Sequence, residues 1–428
     1  MLTGDGLLAR LIPSAPIPFD TWVALCDASQ THGNGIVEVT QRGSLQIRGL
    51  SPASAPAFAA TATALGLGSE GGPPILSSPL LGLDAQERVD LRPLVTALRV
   101  ELARHADVAS LGPKVSLLID AGGALHLDQV AADLRLRMSG ASRFHVSIAG
   151  IAADSSHLGW VDAHHAVNVI VQILAAVANR GPNARARDFA NGTDLHALRD
   201  SLAGILTDEP PPASRSPADA IGTHRLNSGR LARGFALAFG YIEARALKRF
   251  ALAAADCGAT SMQPAPGRAL LSIGMSGTAA EKLTAVAKTE RLIVRPDDAR
   301  RYVIACAGAP ACRSATLATR QWAPHIAEAA KPLLDGSCTI HVSGCVKGCA
   351  YPGVATLTLV GSDRIVVRGR AGDAPHGTIS AGAFVAGLRR LSARPQTPLA
   401  AVVHNADFVS TLGACGMAQP KREESARD

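Results

Sequence analysis

The sequence predicts a mixed α+β fold in which one helix-and-hairpin unit is used twice. Three observations carry this reading. Residues 6–48 and 229–273 both open on Leu-Ala-Arg, as Leu8-Ala9-Arg10 and Leu231-Ala232-Arg233. Each copy then has a helix-period stretch ending at a glycine, followed by two short β-like runs joined by a Gly-containing turn. Each copy is followed in turn by a further helix and strand, so helices and strands alternate throughout.

In the first copy Asp20 is the expected N-cap. Trp22, Leu25, Cys26 and Ser29 share one helix face, and Gly33 is placed to end the helix at the C′ position. Strands are expected at 36–39 and 45–48. A helix near 88–105 and a strand over Lys114–Asp120, stopped by Gly122-Gly123, come next. A long helix near 163–179 buries Val167, Ile170, Val171 and Leu174 and closes at Gly181. Residues 208–219, rich in proline, read as a linker. In the second copy Leu247, Phe250, Ala251 and Ala254 form the apolar stripe and Gly258 ends the helix, with strands at 259–262 and 269–273. A helix near 314–334 and a strand Thr339–Ser343, ending at Gly344-Cys345, complete the pattern. The end of the chain, from about 417, is polar and charged and expected to fray.

The 428 residues exceed one small core, so two or three domains are expected. Apolar residues at 47% and charged residues at 18% are an ordinary globular balance. No apolar run is long enough to span a bilayer, and Met1–Arg10 carries no basic segment ahead of an apolar one. A cytoplasmic protein without a membrane partner is expected. The net charge of +7 suits a polyanionic small molecule as well as a nucleic acid. The basic residues form no block and no aromatic-interleaved motif, so no nucleic-acid partner is expected.

Of eight cysteines, four fall in CAGAPAC (306–312) and CVKGC (345–349). Without an export signal, structural disulfides are disfavoured, and the clustering points to metal or redox chemistry. Iron–sulfur clusters take thiolates at their corners. A Gly/Pro loop can fold the first pair around a corner, and a spacing of four puts the second pair on one side of a helical turn. Zinc, which favours closer pairs, and unrelated buried thiols stay open as alternatives. A catalytic dithiol would want C-x-x-C, which is absent here. Cys26 and Cys257 read as core, and Cys338 and Cys415 suggest no role.

The pairing of C-x5-C with S-G-C-x3-C resembles the cluster signature of the sirohaem-dependent sulfite and nitrite reductases. VTQRGSLQIRG (39–49), SPLLGLD (78–84), LGPKVSLLID (111–120) and RARD (185–188) also resemble stretches of that superfamily. The resemblance covers about residues 1–375. It implies a sulfite/nitrite reductase-like pseudo-two-fold repeat: a ferredoxin-like half-domain (1–68), a cluster-type α/β domain without cluster cysteines (69–207), a linker (208–222), a second half-domain (223–292), a [4Fe–4S]-binding domain (293–415) and a flexible tail (416–428). It implies Cys306, Cys312, Cys345 and Cys349 as cluster ligands, with Arg42 meeting tetrapyrrole carboxylates.

The chain departs from the reductases in three respects. An anion-binding arginine is missing near Pro73, Pro74 and Ile75. Of a K-x-K pair only Lys114 remains, with Ser116 in the second place. The chain is also shorter than a typical reductase.

SGCVKGCAYP (343–352) looks instead like the precorrin-3B synthase family. That resemblance implies O2-dependent hydroxylation of precorrin-3A at C20 with γ-lactone formation, NADH-derived electrons through a reductase partner, and a non-haem iron. Such a polycarboxylate calls for arginines. The candidates are Arg10, Arg42, Arg48, Lys114, Arg233, Arg268, Arg313 and Lys347. For the second iron no trusted pattern exists. His341 and His325 lie near the cysteine motif, whereas the His164-His165 pair reads as a cap or surface feature. A true sirohaem reductase, and a non-catalytic iron–sulfur protein, stay open as alternatives.

Overall fold

The computed structural model describes residues 2–68, 71–109, 111–112, 114–140, 142–393, 398–404 and 408–413. Cys415 and the expected tail 416–428 lie outside the described residues.

The first unit is an antiparallel sheet of β1 (Leu2–Thr3), β2 (Gly6–Leu11), β3 (Ile36–Val39) and β4 (Leu45–Leu50), in the order β1-β2-β4-β3. The Phe19–His32 helix covers one face and buries Trp22, Leu25, Cys26 and Ser29, the stripe its periodicity predicts. The helix begins two residues earlier than expected, with Pro18 at the cap, and Asp20 lies in its first turn instead. A carboxylate there still complements the helix dipole. Gly33 takes an extended φ of −115°, not a left-handed one; a β-carbon there would lie 2.5 Å from the Arg48 carbonyl oxygen. Its role is close approach. Gly258, in the second unit, has the left-handed φ of 79° that the expected C′ position requires.

A five-stranded sheet follows, with β5 (Ile75–Ser77), β6 (Leu117–Asp120), β7 (Ala132–Ser139), β8 (Arg143–Gly150) and β9 (Ser156–Asp162). β5, β6 and β7 are parallel, and β8 and β9 add on antiparallel. The β5–β6 crossover runs through the Arg92–Arg104 helix. β6 is buried on both faces, as parallel strands are when layers cover both sides. The long helix is Ala166–Ala178, and its expected stripe residues Ile170, Val171 and Leu174 are buried.

Residues 208–219 carry no helix or strand but are tied down. Trp160 Nε1 donates to the Glu209 carbonyl (3.1 Å), Arg215 pairs with Asp128 (2.5 Å) and Asp120, and Asp219 pairs with Arg301 (2.8 Å).

The second unit repeats the first: β10 (Gly222–Arg225), β11 (Leu231–Ala236), β12 (Tyr241–Glu243), β13 (Ser261–Ala265) and β14 (Ala269–Met275), with sheet order β10-β11-β14-β13. The two Leu-Ala-Arg tripeptides therefore lie on equivalent strands, β2 and β11. The segments preceding the two helices are exchanged. β12 leaves its own sheet and pairs with β3, while Ile17 pairs with Met262 of β13 through bonds of 3.0 and 2.9 Å. The Phe19–His32 and Ala244–Asp256 helices share one core, in which Trp22, Leu25 and Phe58 lie with Leu247, Phe250 and Met262.

The last sheet holds β15 (Val303–Ala305), β16 (Ile340–Ser343), β17 (Ala355–Val360), β18 (Arg364–Gly369) and β19 (Gly377–Thr378), in the same parallel-parallel-antiparallel-antiparallel order as β5 to β9. Among the described residues no helix is long and apolar enough to cross a membrane.

Candidate functional site

Neighbouring parallel strands β15 and β16 end at one edge of their sheet, and each is followed by a cysteine loop. Cys306 comes directly after β15, and its N–H donates to the Val342 carbonyl (3.3 Å). The Gly344 N–H donates to Cys306 Sγ at 3.1 Å, and the Thr316 N–H donates back to the Gly344 carbonyl (2.9 Å), which ties the two loops together. The first loop closes on itself through Cys312 N–H to Gly308 O (2.7 Å). The second pair lies in irregular turns, not the expected helical turn; Gly348 takes a φ of 59° between its two cysteines.

All four thiols are free. Burial raises the Cys349 thiol above its ordinary range, and the charges of Cys345, Cys306 and Cys312 raise it further, with Lys347 opposing. The four sulfurs therefore share one electrostatic neighbourhood. Four free thiols on two hydrogen-bonded loops, one of them already accepting a backbone N–H, fit a cubane of iron and sulfide: the iron would supply the positive charge that four thiolates need.

The candidate cations divide into groups. Arg42, at the β3–β4 hairpin, has its pKa lowered by burial and by the neighbouring Arg185 and Arg10, with Asp133 opposing. Arg185, and more weakly Arg10, thus act on Arg42 as like charges. Gln46, oriented to donate to Glu38 (2.9 Å), accepts from Arg10 (3.0 Å). Arg48 is buried and internally engaged: it pairs with Asp5 (3.0 Å) and donates to the Ala311 carbonyl in the first cysteine loop (2.5 Å). Arg268 is half-buried on a left-handed backbone (φ 61°), its pKa lowered to about 10 by burial, and it donates to the Ala350 carbonyl at 3.4 Å. Lys347 donates to Ser314 (3.0 Å), which bridges the two cysteine loops. Arg313 is exposed beside Cys312, and Lys114 is exposed in the turn before β6. Arg233 is held within its own half, donating to Thr223 (3.0 Å) and the Val294 carbonyl (3.3 Å).

Sequence reasoning did not single out three residues that stand here. Arg185 makes two 2.8 Å bonds to buried Asp133, which also accepts from the Ser116 N–H (3.0 Å). Its signal was the RARD stretch. Ser116, in the place of a lysine, thus positions a carboxylate. Arg320 pairs with Glu38, whose carboxyl burial raises while Arg320 and Arg48 lower it. No sequence pattern marks Arg320. Glu38 was equally silent.

His341, on β16, is fully buried, and neither ring nitrogen has a hydrogen-bond partner. Burial, then Arg268, pushes its pKa down to about 4. His325 packs edge-on against Trp322 (6.2 Å), and exposed His164 and His165 lie ahead of the Ala166–Ala178 helix. Elsewhere, Asp120, His126 and Asp128 bring three donor atoms within 4.8 Å. Arg215 bonds both carboxylates and His126 Nε2 meets the Ser216 carbonyl (2.9 Å), so these donors are already engaged and fit a second iron poorly.

The repeated scaffold and paired cysteine loops define the nitrite and sulfite reductase class. The nitrite/sulfite reductase ferredoxin-like half domain family matches residues 8–65. The NirA protein of Mycobacterium tuberculosis shares the fold, with a TM-score of 0.74 at 18% identity, over 94% of this chain and 84% of that one. The ferredoxin–nitrite reductase of Synechococcus elongatus is 24% identical over 84% of this chain and 77% of its own length. A precorrin-3B synthase from Sinorhizobium is 35% identical over 91% of this chain and 86% of its own. The chain belongs to the precorrin-3B synthase family.

Proposed function

We propose that this chain is a cytoplasmic monooxygenase of aerobic cobalamin biosynthesis, hydroxylating precorrin-3A at C20 with closure of a γ-lactone. The observation that carries the reading is a pair of hydrogen-bonded loops carrying four free thiols, in a chain where Arg185 and Arg10 act as like charges on Arg42. Cys306, Cys312, Cys345 and Cys349 would hold a [4Fe–4S] cluster, which supplies one-electron chemistry when bound. One atom of O2 enters the product and the other leaves as water, using two protons and two electrons from NADH through a reductase partner.

The chain's own residues bind and orient the macrocycle. Arg42 lies under the like charges of Arg185 and Arg10, and a bound polycarboxylate relieves that repulsion while accepting bidentate hydrogen bonds. Lys114, Arg233, Arg268, Arg313 and Lys347 are further candidates for the remaining carboxylates. Arg48 acts by fixing the first cysteine loop. A non-haem iron belongs to the same reading, but the engaged Asp120–His126–Asp128 group is a poor place for it, and the binding described here runs without it.

Ser116 argues against the alternative of sirohaem-dependent anion reduction. It stands where the reductases resemble one another in a lysine, and its hydroxyl and N–H are turned to Asp133. Aerobic incubation with precorrin-3A and a reductant, read by mass spectrometry, should show gain of one oxygen. No mass change with a fully loaded cluster rejects the reading. A sirohaem absorption band with anion reduction would establish the reductase, and a loaded cluster inert toward both substrates a non-catalytic iron–sulfur protein.

A further inference from the structure

His341 lies beneath the turn that carries Cys345 and Cys349. A β-carbon on Gly348 would stand 3.7 Å from His341 Cε1, and the Tyr351 ring meets the imidazole edge-on at 6.0 Å. The register neighbours of His341 are Ile304 and Thr358. Ile304 is apolar, and the Thr358 hydroxyl faces the Gly369 carbonyl (3.5 Å). The charge that acts on the imidazole is Arg268, itself a donor without acceptor capacity. Two polar side chains thus adjoin the residue 348–351 turn: half-buried Arg268, with one long bond to Ala350, and fully buried His341, with no partner at either nitrogen. Buried polar groups are rarely left so, and each such case calls for a partner outside the protein atoms or a functional reason. The neutral imidazole has one N–H that needs an acceptor, as the Arg268 guanidinium does, and a site flanked by a cation favours an anion.

We propose that His341 is a positioning residue for the iron–sulfur cluster. Its ring N–H donates to a sulfur of the loaded cluster, stabilises the reduced and more negative state, and so raises the reduction potential. The inference rests on the cluster assignment to Cys306, Cys312, Cys345 and Cys349. It goes beyond that assignment by giving a non-ligand side chain control of the potential.

The test uses the full-length protein with its cluster reconstituted and reduced. With ¹⁵N-labelled histidine, pulsed electron-nuclear double resonance should show a histidine nitrogen and an exchangeable proton coupled to the cluster spin. Both couplings should vanish in His341→Phe. The midpoint potential should fall in His341→Phe and recover toward wild type in His341→Gln, which keeps an N–H. A full-intensity cluster signal without any histidine coupling overturns the proposal, even if tetrapyrrole affinity falls in the variants, because that pattern assigns the N–H to a substrate carboxylate. A potential unchanged in both variants overturns it too. If His341→Phe fails to hold a cluster, the labelled wild type and His341→Gln decide. A wild-type protein that forms no cluster at all fails at the earlier step, the cysteine assignment, and takes this inference with it.

Discussion

The two five-stranded sheets have the same strand order, yet their equivalent ends are chemically opposite. Past β6, the loop of the first sheet gathers Asp120, His126 and Asp128, and Arg215 from the 208–219 segment lies across both carboxylates. Arg137 adds a second cation 3.9 Å from Asp128. That end is balanced by the chain itself. Past β16, the second sheet gathers thiols, and the charges of Cys345, Cys306 and Cys312 raise the buried Cys349 further, with Lys347 opposing. On the proposed reading, bound iron completes that end. One backbone plan therefore carries a closed ionic junction in one half and a pair of cysteine loops in the other, and the side chains of two loops decide which.

The largest test of this contrast is loss of a thiol. Cys306→Ser or Cys345→Ser should abolish most of the broad cluster absorbance and the bound iron, read by spectrum and metal analysis. Retention of the full signal would show that the ligands are misassigned.

Next is the closed end. Arg215→Leu leaves two buried carboxylates without their shared cation and should cost about 3 kcal/mol in urea denaturation, as breaking a buried pair generally does. Adding Asp120→Asn and Asp128→Asn should restore part of it, while the cluster spectrum stays unchanged throughout.

Arg42→Ala should weaken precorrin-3A binding by roughly 10- to 100-fold, the range for one charge-assisted contact, with cluster content intact. Equal affinity would remove Arg42 from the substrate face.

The smallest effect concerns Glu87, near Asp84 and Asp120 at the closed end. Burial raises its carboxyl to about 7 from an ordinary 4.5, against a 2.5 Å bond from the Gly82 N–H. The folded chain thus holds a proton that the unfolded chain releases at lower pH. This contribution is present below about 4.5 and is lost as pH rises through about 7. Glu87→Gln should flatten the pH dependence of the urea midpoint across that window; an unchanged slope would place the titration elsewhere.

The repeat was legible because helix periodicity and tripeptide register survive in both halves: Trp22, Leu25 and Cys26 answer to Leu247, Phe250 and Ala251. The adjacency of the two cysteine loops was legible because ligand chemistry, where it operates, fixes residue type and spacing together, and Gly344 N–H to Cys306 Sγ does join the loops. The strand exchange was hidden. Pairing of β12 with β3 joins residues some two hundred positions apart, and nothing local in Tyr241–Glu243 says which sheet it enters. Arginine roles were hidden for a related reason. Arg42 and Arg48 share one hairpin, but Asp5 and Ala311, brought in from distant segments, turn Arg48 into an internal tie. His341 read only as a histidine near the motif, because an orphaned nitrogen is a property of packing.

The crossed-over strands have a consequence for dissecting or shortening this chain. Cutting at the 208–219 segment would bare the outer edge of β3 on one fragment and that of β13 on the other, and would split a core to which both helices contribute. A half-length piece could cover those surfaces again only by embracing a second copy of itself, with the same patch meeting its own image across a two-fold axis. The covalent link thus does the work that subunit concentration would do in a dimer, and leaves the two copies free to diverge, one toward a salt-bridged lock and the other toward a paired set of cysteine loops.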